Sequence, residues 1–415
     1  MTFASLGLSR DLLEAVKVAG YDTPTSVQEL AIPLVLRGRD VIAQARTGTG
    51  KTAGFALPLL QRVRAHDGGR KRSIQALILT PTREIAMQVE RALKGYGRQL
   101  PRPPRVITLI GGLNIDLQVR NLHHGADIAV ATPGRFLDLT RREVVDLSLL
   151  KILVIDEADK MFDLGFAAEL GAVLRTLPDD RQNLLFSATI TDKVDAMARA
   201  FMRDPARVTD AKNEPAAELV HQRAIEVNRN NRGPLLRHLI KVEQWAQALV
   251  FVASVRDADI LTVKLRKAGI DADAFHGGLT QAQRSQVLRD FKLGKFRVLV
   301  STDLAARGID IHKLPCVINY DLPRSADDYI HRMGRTGRAG EKGIVISFIG
   351  HEDQAHFSLI ERKTRVRPAR ESVEGFVLTG APLPTEKGKA PVKGRRMSKK
   401  DKARALALLT DKGLS

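Results

Sequence analysis

A glycine-rich loop and a pair of acidic residues carry the clearest chemistry in this sequence. The string ARTGTGKT runs from Ala45 to Thr52, and VIDEAD runs from Val154 to Asp159. Glycines let a backbone wrap closely around phosphates, a lysine reaches the terminal phosphates, and the next hydroxyl binds Mg²⁺. The residues assigned to the triphosphate are Ala45, Arg46, Thr47, Gly48, Thr49, Gly50, Lys51 and Thr52. Taken alone, the loop could also be a plain connection between a strand and a helix.

The acidic pair supports the nucleotide interpretation independently. The apolar run before Asp156 predicts a buried strand, and open α/β sheets bind ligands at the carboxyl ends of such strands. Asp156 is predicted to hold Mg²⁺ together with Thr52, and Glu157 to orient and deprotonate the attacking water. The alternative is that both acids cap a helix, which the phosphate loop upstream disfavours.

Short β-branched runs alternate with helical patterns, which predicts an α/β fold with doubly wound parallel sheets. The predicted strands are Ala76–Thr80, Asp127–Thr132, Lys151–Asp156 and Asn183–Thr189, then Ala248–Ala253, Arg297–Thr302, Cys316–Asp321 and Gly343–Phe348. A stretch with two prolines and mixed charge separates the two series. We expect domain one at 1–208, a linker at 209–219, domain two at 220–365 and a basic, largely disordered tail at 366–415.

The bulk composition limits the setting of the protein. A chain of 415 residues is too long for one core. Its only cysteine, Cys316, excludes an internal disulfide, and the absence of a basic leader and of a long apolar run favours a cytoplasmic protein without a membrane span. The net charge of +19 indicates a polyanionic partner.

Several further short sequence motifs occur along the chain in the same order as in a known protein family. They are PTREIAMQ (Pro81–Gln88), the pair Gly111 and Gly112, TPGR (Thr132–Arg135), DEAD (Asp156–Asp159), SAT (Ser187–Thr189), HGGLTQAQR (His276–Arg284), STDLAARGID (Ser301–Asp310) and YIHRMGRTGR (Tyr329–Arg338). Together they resemble the motifs of the DEAD-box ATP-dependent RNA helicases of superfamily 2, most closely the bacterial RhlE-type branch. The resemblance implies two tandem RecA-like domains over residues 1–365, with ATP and Mg²⁺ as cofactors.

The start of the chain resembles the segment with which this family recognises adenine. Gln28 can donate to and accept from the N6/N7 edge of adenine, and Tyr21 can stack on the ring, with Phe3 upstream. Taken alone, Gln28 is an ordinary polar helix residue and Tyr21 a core aromatic.

The resemblance places the rest of the ATP site in domain two. Arg335 and Arg338 would act as arginine fingers on the γ-phosphoryl group. His331 would hold the attacking water or contact domain one, Asp310 would contact the ribose, and Gly308 is also assigned to ATP binding. A basic surface turn is the alternative for either arginine alone.

The nucleic-acid face is predicted to hold a sugar–phosphate backbone without reading bases. Its assigned residues are Pro81, Thr82, Arg83, Gly111, Gly112, Thr132, Pro133, Gly134 and Arg135 in domain one, and Gln281, Arg284 and Thr302 in domain two. The preference for RNA over DNA is implied by the resemblance only. The basic tail is predicted to tether RNA, with a merely solubilising tail as the alternative.

The predicted activity is ATP-dependent unwinding of short RNA duplexes or remodelling of RNA–protein complexes, driven by closure of the two domains. Asp159, Ser187, Ala188 and Thr189 are assigned to the coupling between hydrolysis and unwinding, although Ser187 and Thr189 could simply cap a helix. The alternatives are an ATP-gated RNA clamp or assembly scaffold, and a helicase that acts on DNA. Candidate partners are ribosomal or RNA-decay protein complexes. Arg46 and Lys160 depart from the family pattern, which usually has Gln and often has Arg there.

Overall fold

The chain folds around two parallel β-sheets of seven strands each. The computed structural model describes residues 2–45, 48–63, 72–209, 220–306, 311, 314–337 and 343–380, with only the backbone of Asp327. Every strand pairing in both sheets is parallel, as the alternation of strand and helix patterns predicted.

Domain one contains the first sheet, with strand order β3-β4-β2-β5-β6-β1-β7. Its strands are β1 Val41–Gln44, β2 Ala76–Leu79, β3 Val106–Leu109, β4 Ile128–Ala131, β5 Ile152–Asp156, β6 Gln182–Ser187 and β7 Ala206–Thr209. Its helices are α1 Arg10–Val18, α2 Ser26–Leu36, α3 Lys51–Arg62, α4 Arg83–Gly97, α5 Ile115–His123, α6 Pro133–Arg141, α7 Ala158–Asp163, α8 Ala167–Leu174 and α9 Asp192–Phe201.

Both faces of the first sheet are covered, which explains why its strands read as continuous apolar runs. Successive residues of one strand enter opposite cores: Val154 packs with helices α1 to α4, and Leu153 and Ile155 pack with helices α5 to α9. The strands' carboxyl ends therefore stay free of covering helices, and loops at that edge can hold ligands.

Domain two contains the second sheet, with strand order β10-β11-β9-β12-β13-β8-β14. Its strands are β8 Val220–Glu226, β9 Ala248–Val252, β10 Ala272–Phe275, β11 Val298–Thr302, β12 Cys316–Asn319, β13 Gly343–Ile349 and β14 Arg370–Glu371. Its helices are α10 Arg232–Glu243, α11 Val255–Lys267, α12 Gln281–Lys292, α13 Asp303–Ala306, α14 Ala326–Met333 and α15 Gln354–Thr364. Helices α10 and α11 cover one face, and α12 to α15 cover the other.

All eight strands predicted from the sequence are confirmed to within a few residues. The strands that the sequence did not single out are β1, β3, β7, β8, β10 and β14. Several of these are edge or short strands with polar or charged residues, so they lack a continuous apolar run. One of them, β7, spans the predicted end of domain one and reaches Thr209, the first residue of the predicted linker, and residues 210–219 lie outside the described residues.

The prediction of a tail from residue 366 is wrong at its start. Residues 366–380, which we call the strap, run along domain two: Arg370 and Glu371 pair with Ala224 and Ile225 of β8. Phe376 packs on the core below α10. A segment with few apolar residues still orders here because the sheet edge supplies backbone hydrogen-bond partners. Residues 381–415 lie outside the described residues.

Candidate ATP and nucleic-acid sites

The phosphate loop connects β1 to α3 and ends at a helix N-terminus. Gly48 and Gly50 have φ angles of +89° and +83°, a left-handed conformation that glycine adopts without strain. Helix α3 begins at Lys51, so its N-terminal N–H groups and the positive end of its dipole lie at the loop. Arg46 and Thr47 lie outside the described residues.

Residues of α2 hold this loop from behind. Thr25 Oγ1 donates to the Thr49 carbonyl at 2.7 Å, and Gln28 Nε2 donates to the Gly50 carbonyl at 3.1 Å. A Cβ on residue 50 would lie only 2.3 Å from Gln28 Nε2, so the close packing requires glycine there. The α2 contacts thus fix the loop before any nucleotide binds.

Gln28 therefore braces the loop in this structure. Its side chain is buried, and its Oε1 also accepts from the Thr25 N–H at 3.0 Å. The predicted pairing of Gln28 with adenine stays a prediction, because it needs the amide's second N–H and second lone pair. Tyr21 lies at the cavity, stacks on Phe3 with ring centroids 6.5 Å apart, and bonds Tyr96 through the two hydroxyls at 3.0 Å.

Two buried polar atoms at the loop have no partner within the described residues: Lys51 Nζ and Asp156 Oδ1. Lys51 is 6% exposed and Asp156 is 4% exposed. Burial raises the pKa of Asp156 to about 7, against the opposing charge of Lys51. An unpartnered ammonium and an unpartnered carboxylate at one loop fit a triphosphate and a cation, with Thr52 as a further oxygen ligand. Among the described residues, no group of three or more His, Cys, Asp or Glu side chains is placed to hold a metal ion.

Glu157 has a strained backbone directly after β5. Its φ and ψ angles of 54° and 51° lie in the left-handed region, which is uncommon for a residue with a side chain. Its buried carboxylate accepts from Lys160 Nζ at 2.5 Å. Burial alone would raise the pKa of Glu157, but Lys160 and Lys51 outweigh burial and lower it to about 2. The carboxyl is therefore ionised at neutral pH.

A cavity of about 670 Å³ joins this site to domain two. It is lined by Gly50, Lys51, Asp156 and Glu157 from domain one and by Arg335 from domain two. Arg335 is 5% exposed, so the two domains already enclose it. Both domains thus contribute charged groups to one cavity.

His331 also lies at the boundary between the domains. Burial, followed by the positive charge of Lys160, lowers its pKa, so the ring is held neutral. Its Nδ1 is buried without a partner among the described residues. Ser325 caps α14, which carries His331, by accepting from the Asp328 N–H at 3.1 Å, as predicted from the sequence.

A hydrogen-bond network joins the DEAD string to the SAT string. Thr189 donates to Asp159 Oδ2 through its N–H and its hydroxyl, both at 2.9 Å. The Asp159 N–H donates to Ser187 Oγ at 3.1 Å. The residue that caps the next helix, α9, is Thr191, so the helix-cap alternative for Ser187 and Thr189 is wrong. Ala188 lies between the two bonded residues.

The domain-one nucleic-acid residues gather at the ends of β2, β3 and β4. The guanidinium of Arg83 lies against the glycine pair, since a Cβ on Gly112 would be 2.0 Å from its Nη1. Arg135 donates to the Leu113 carbonyl at 3.3 Å. Thr82 and Thr132 begin helices α4 and α6, followed by Pro133 and the exposed Gly134, while Pro81 is buried.

Gln281 and Arg284 make a contact that the sequence did not predict. Gln281 Nε2 donates to Glu84 Oε1 at 3.1 Å, and Arg284 Nη2 lies 3.1 Å from the same oxygen. Because Glu84 belongs to α4 and the other two to α12, this buried cluster, which we call the clasp, joins the two domains. Thr302, the last residue of β11, is nearly buried.

Comparisons with known proteins agree with this geometry. A family model described as "DEAD/DEAH box helicase" matches residues 25–197, and one described as "Helicase conserved C-terminal domain" matches residues 232–340. The ATP-dependent RNA helicase CshA of Limosilactobacillus reuteri is 41% identical over 367 residues, which cover 88% of this chain and 73% of that protein. This chain belongs to the DEAD-box helicase family.

Other DEAD-box proteins show how widely the likeness extends. The DEAD-box ATP-dependent RNA helicase CshA of Streptococcus pneumoniae is 42% identical over 88% of this chain and 69% of its own. Dbp5 of S. cerevisiae, solved bound to RNA and ADP BeF3, is 33% identical with a TM-score of 0.78, covering 89% of this chain and 95% of that one. A DEAD box protein from the hyperthermophile Methanococcus jannaschii is 38% identical with a TM-score of 0.52, covering 90% and 99%. The two sheets of this chain are thus arranged much as in the RNA-bound Dbp5.

Three residues of this DEAD-box protein have structural importance that the sequence did not reveal. Lys160 pairs with Glu157, and Glu84 forms the clasp. Arg332 is buried, bonds Asp303 at 2.6 and 2.7 Å, and lies over the Phe251 ring at 4.6 Å. The position of Lys160 three residues after Glu157 in a helical pattern was the available signal.

Some assigned residues fall outside the described part of the chain. They are Arg46, Thr47, Gly308, Asp310 and Arg338, together with the tail residues 381–415. Within the described residues, no helix is both long and apolar enough to cross a membrane.

Proposed function

We propose that this DEAD-box protein is an RNA-stimulated ATPase that separates short RNA duplexes or remodels RNA–protein complexes. The observation that carries the proposal is the shared cavity, where Arg335 of domain two meets Lys51, Asp156 and Glu157 of domain one. A site divided between two domains is complete only when they close, so hydrolysis reports closure.

Each residue of the cavity has a separate role in the proposed phosphoryl transfer. Lys51 and the loop N–H groups would bind the β- and γ-phosphates, and Thr52 and Asp156 would hold Mg²⁺. The bound ion would neutralise charge that develops on the phosphates. Glu157 orients the attacking water and accepts its proton, and Arg335, with Arg338, stabilises charge on the γ-phosphoryl group.

The low pKa of Glu157 shapes this assignment. A carboxylate with a pKa of about 2 is a weak base at neutral pH, so its first contribution is to orient the water. Its basicity would rise if the contact with Lys160 lengthened.

RNA would favour closure because its predicted contacts lie on both domains. Thr82, Arg83 and Arg135 in domain one and Thr302 in domain two would hold one strand through its backbone. ATP and RNA both favour the closed arrangement, so each should strengthen binding of the other. The network of Asp159, Ser187 and Thr189 would pass the effect between the sites.

Narrower predictions belong to the same proposal. The RhlE-type branch stays a prediction, because the relatives with 41–42% identity carry the name CshA. Ribosomal or RNA-decay protein complexes remain candidate partners. A cytoplasmic location is supported by the single, buried cysteine Cys316, which suits a reducing compartment.

The test is steady-state ATP hydrolysis with no nucleic acid, with single-stranded RNA and with the matching DNA. We expect strong stimulation by RNA alone and loss of activity when Mg²⁺ is chelated. The variant Glu157→Gln should keep ATP and RNA binding while turnover falls by about 10² or more. Equal stimulation by DNA, or normal turnover in Glu157→Gln, would refute the proposal.

An ATP-gated RNA clamp would need the same ATP site as a helicase, so only kinetic measurements distinguish the two functions. If the protein acts as a helicase, RNA should dissociate about as fast as a duplex is unwound. If it acts as a clamp, RNA should stay bound much longer than one unwinding event takes. Single-turnover unwinding and RNA dissociation, measured on the same duplex, distinguish the two.

A further inference from the structure

Domain two has a polar groove outside the ATP cavity and the clasp. The groove has a volume of about 550 Å³. Its polar lining includes Arg229, Arg237, Asp257, Lys264, Tyr320 and Asp321, and we call it the domain-two groove. These residues come from the segment after β8, from α10 and α11, and from the segment after β12, so four parts of the chain build it.

The charges in the groove do not cancel. Arg229, Arg237 and Lys264 make no side-chain ion pair or hydrogen bond with any residue that the structure describes. Asp321 pairs with the buried Arg232, whose Nη1 lies 3.0 Å from its carboxylate and whose guanidinium also pairs with Glu352 and Asp353.

The remaining acid of the groove, Asp257, accepts from the Ser254 hydroxyl at 2.6 Å. Three cations therefore face two carboxylates, Asp257 and Asp321, and Asp321 also shares the charge of Arg232, so the lining keeps an excess of positive charge. Such an excess of unpaired positive charge in a concave site favours an anionic ligand.

The groove lies at the edge of the sheet where the nucleic-acid residues of domain two are found. Asp321 follows β12, and Thr302 ends β11, on the two sides of β9. With strands about 4.8 Å apart, the groove begins roughly 10 Å from Thr302. That distance is short compared with the reach of a few nucleotides of single-stranded RNA.

The strap ends beside the same groove. Asn228 Nδ2 donates to the Thr379 carbonyl at 2.9 Å, and the Thr379 N–H donates to Asn228 Oδ1 at 2.8 Å. Asn228 directly precedes Arg229, so the chain leaves the described part of domain two at the groove. Residues 381–415, which follow the strap in the sequence, hold 10 Lys and Arg against 3 Asp and Glu.

We propose that the domain-two groove binds the phosphate backbone of RNA that extends beyond the segment held between the two domains. This inference rests on the proposed RNA-dependent activity and adds a second contact to it. Phosphates would interact with Arg229, Arg237 and Lys264, which line the groove. A contact of this kind positions RNA without reading its sequence.

The test compares RNA binding by the full chain and by the triple variant R229A/R237A/K264A. Binding is measured by fluorescence anisotropy with a non-hydrolysable ATP analogue. The probes are an RNA of about six nucleotides and RNAs extended at the 5′ or 3′ end by about ten. We expect the variant to bind one extended RNA at least about tenfold more weakly, with the salt slope reduced by about 2, and the short RNA normally.

Two further variants separate charge from folding and from general basicity. R229K/R237K/K264R keeps the charges and should bind like the wild type. R362A/K363A removes two exposed basic residues of α15 on the opposite face of the sheet and should leave the affinity for the extended RNA unchanged.

Equal affinity of wild type and triple variant for every RNA would overturn the groove proposal, and so would an equal loss on the short RNA. Failure of RNA to stimulate ATP hydrolysis by the wild type would instead refute the proposed function. The two failures are therefore distinguishable.

Discussion

At the scale of single residues, the candidate hydrolytic centre combines a strained backbone at Glu157 with a buried ion pair between Glu157 and Lys160. Glu157 is held in a left-handed backbone conformation, and its buried carboxylate is bonded to Lys160. Such conformations persist only where the surroundings enforce them, and they concentrate at functional sites. Here β5 fixes the chain before Glu157 and the Asp159 network fixes it afterwards, so the carboxylate is aimed into the cavity.

Lys160 should be a positioning residue for Glu157. We expect Lys160→Met to lower the RNA-stimulated kcat about tenfold or more with a small change in the KM for ATP, because Glu157 loses its closest bonded partner. Lys160→Arg, which restores the residue that the family often has, should keep most of the activity. Steady-state kinetics at saturating RNA measure both.

A purely structural role for Lys160 would lower the melting temperature and raise KM together with the fall in kcat. Faster turnover in Lys160→Met would show that the ion pair restrains Glu157 instead of positioning it.

At the scale of elements, the strap differs most from its sequence-based prediction, because its composition predicted a disordered tail and the structure packs it against β8. A two-residue strand, an Asn228 amide and one aromatic ring hold it. Glu371 adds an ion pair with Arg223 at 2.8 Å. Each contact is modest, but together they cover the edge of β8, which would otherwise present unpaired backbone groups.

The strap should stabilise domain two, whereas the chain after it should not. Removing residues 366–415 uncovers β8 and the core below Phe376, so we expect the free energy of unfolding to fall by about 2 kcal/mol or more. Removing only residues 381–415 should leave it unchanged. Urea denaturation of both truncations, compared with the full chain, measures the difference.

If both truncations unfold at the same urea concentration as the full chain, the strap contributes nothing to stability. The single variant Phe376→Ala gives a second measurement within the full-length chain, and a loss there would locate the effect at the aromatic contact.

At the scale of the whole molecule, closure is held at two places with different chemistry. The ATP cavity brings Arg335 towards the phosphate loop, and the clasp bonds Glu84 to Gln281 and Arg284. Burial lowers the pKa of Arg284 while Glu84 raises it, and the guanidinium remains charged. An ion pair that is buried only when the domains meet favours the closed arrangement.

Breaking the clasp should weaken the coupling between ATP and RNA. We expect Glu84→Gln and Arg284→Met each to reduce the enhancement of RNA affinity by an ATP analogue about tenfold, because one charge is left buried without its partner. The double variant should lose less than the sum of the two in free energy. Titrations of RNA with and without the analogue provide these values.

Glu90→Gln is the matched control for the clasp, since Glu90 lies on the same helix and, within the part of the chain that the structure describes, forms its ion pair with Lys94 of that helix. Additive losses in the double variant, or the same loss in Glu90→Gln, would contradict a contact between the domains.

The sequence by itself determined the fold class, eight of the strands and the position of the glycine-rich loop before α3. These features depend on local patterns: apolar runs for buried strands, glycines for the loop, and an acidic pair at a strand end. The family motifs added the expectation that domain two contributes arginines to the nucleotide site, and Arg335 lines the cavity together with Lys51, Asp156 and Glu157.

Only the tertiary structure decided which partner each of several polar residues takes. Gln28 braces Gly50, Glu84 bonds residues almost 200 positions away, and the strap finds the edge of β8. The same holds for the domain-two groove, whose basic residues come from three separate segments. None of these contacts leaves a periodic signal, because a polar side chain pairs with whatever the fold brings near it. That is the physical reason why the sequence located the chemistry but could not assign these contacts.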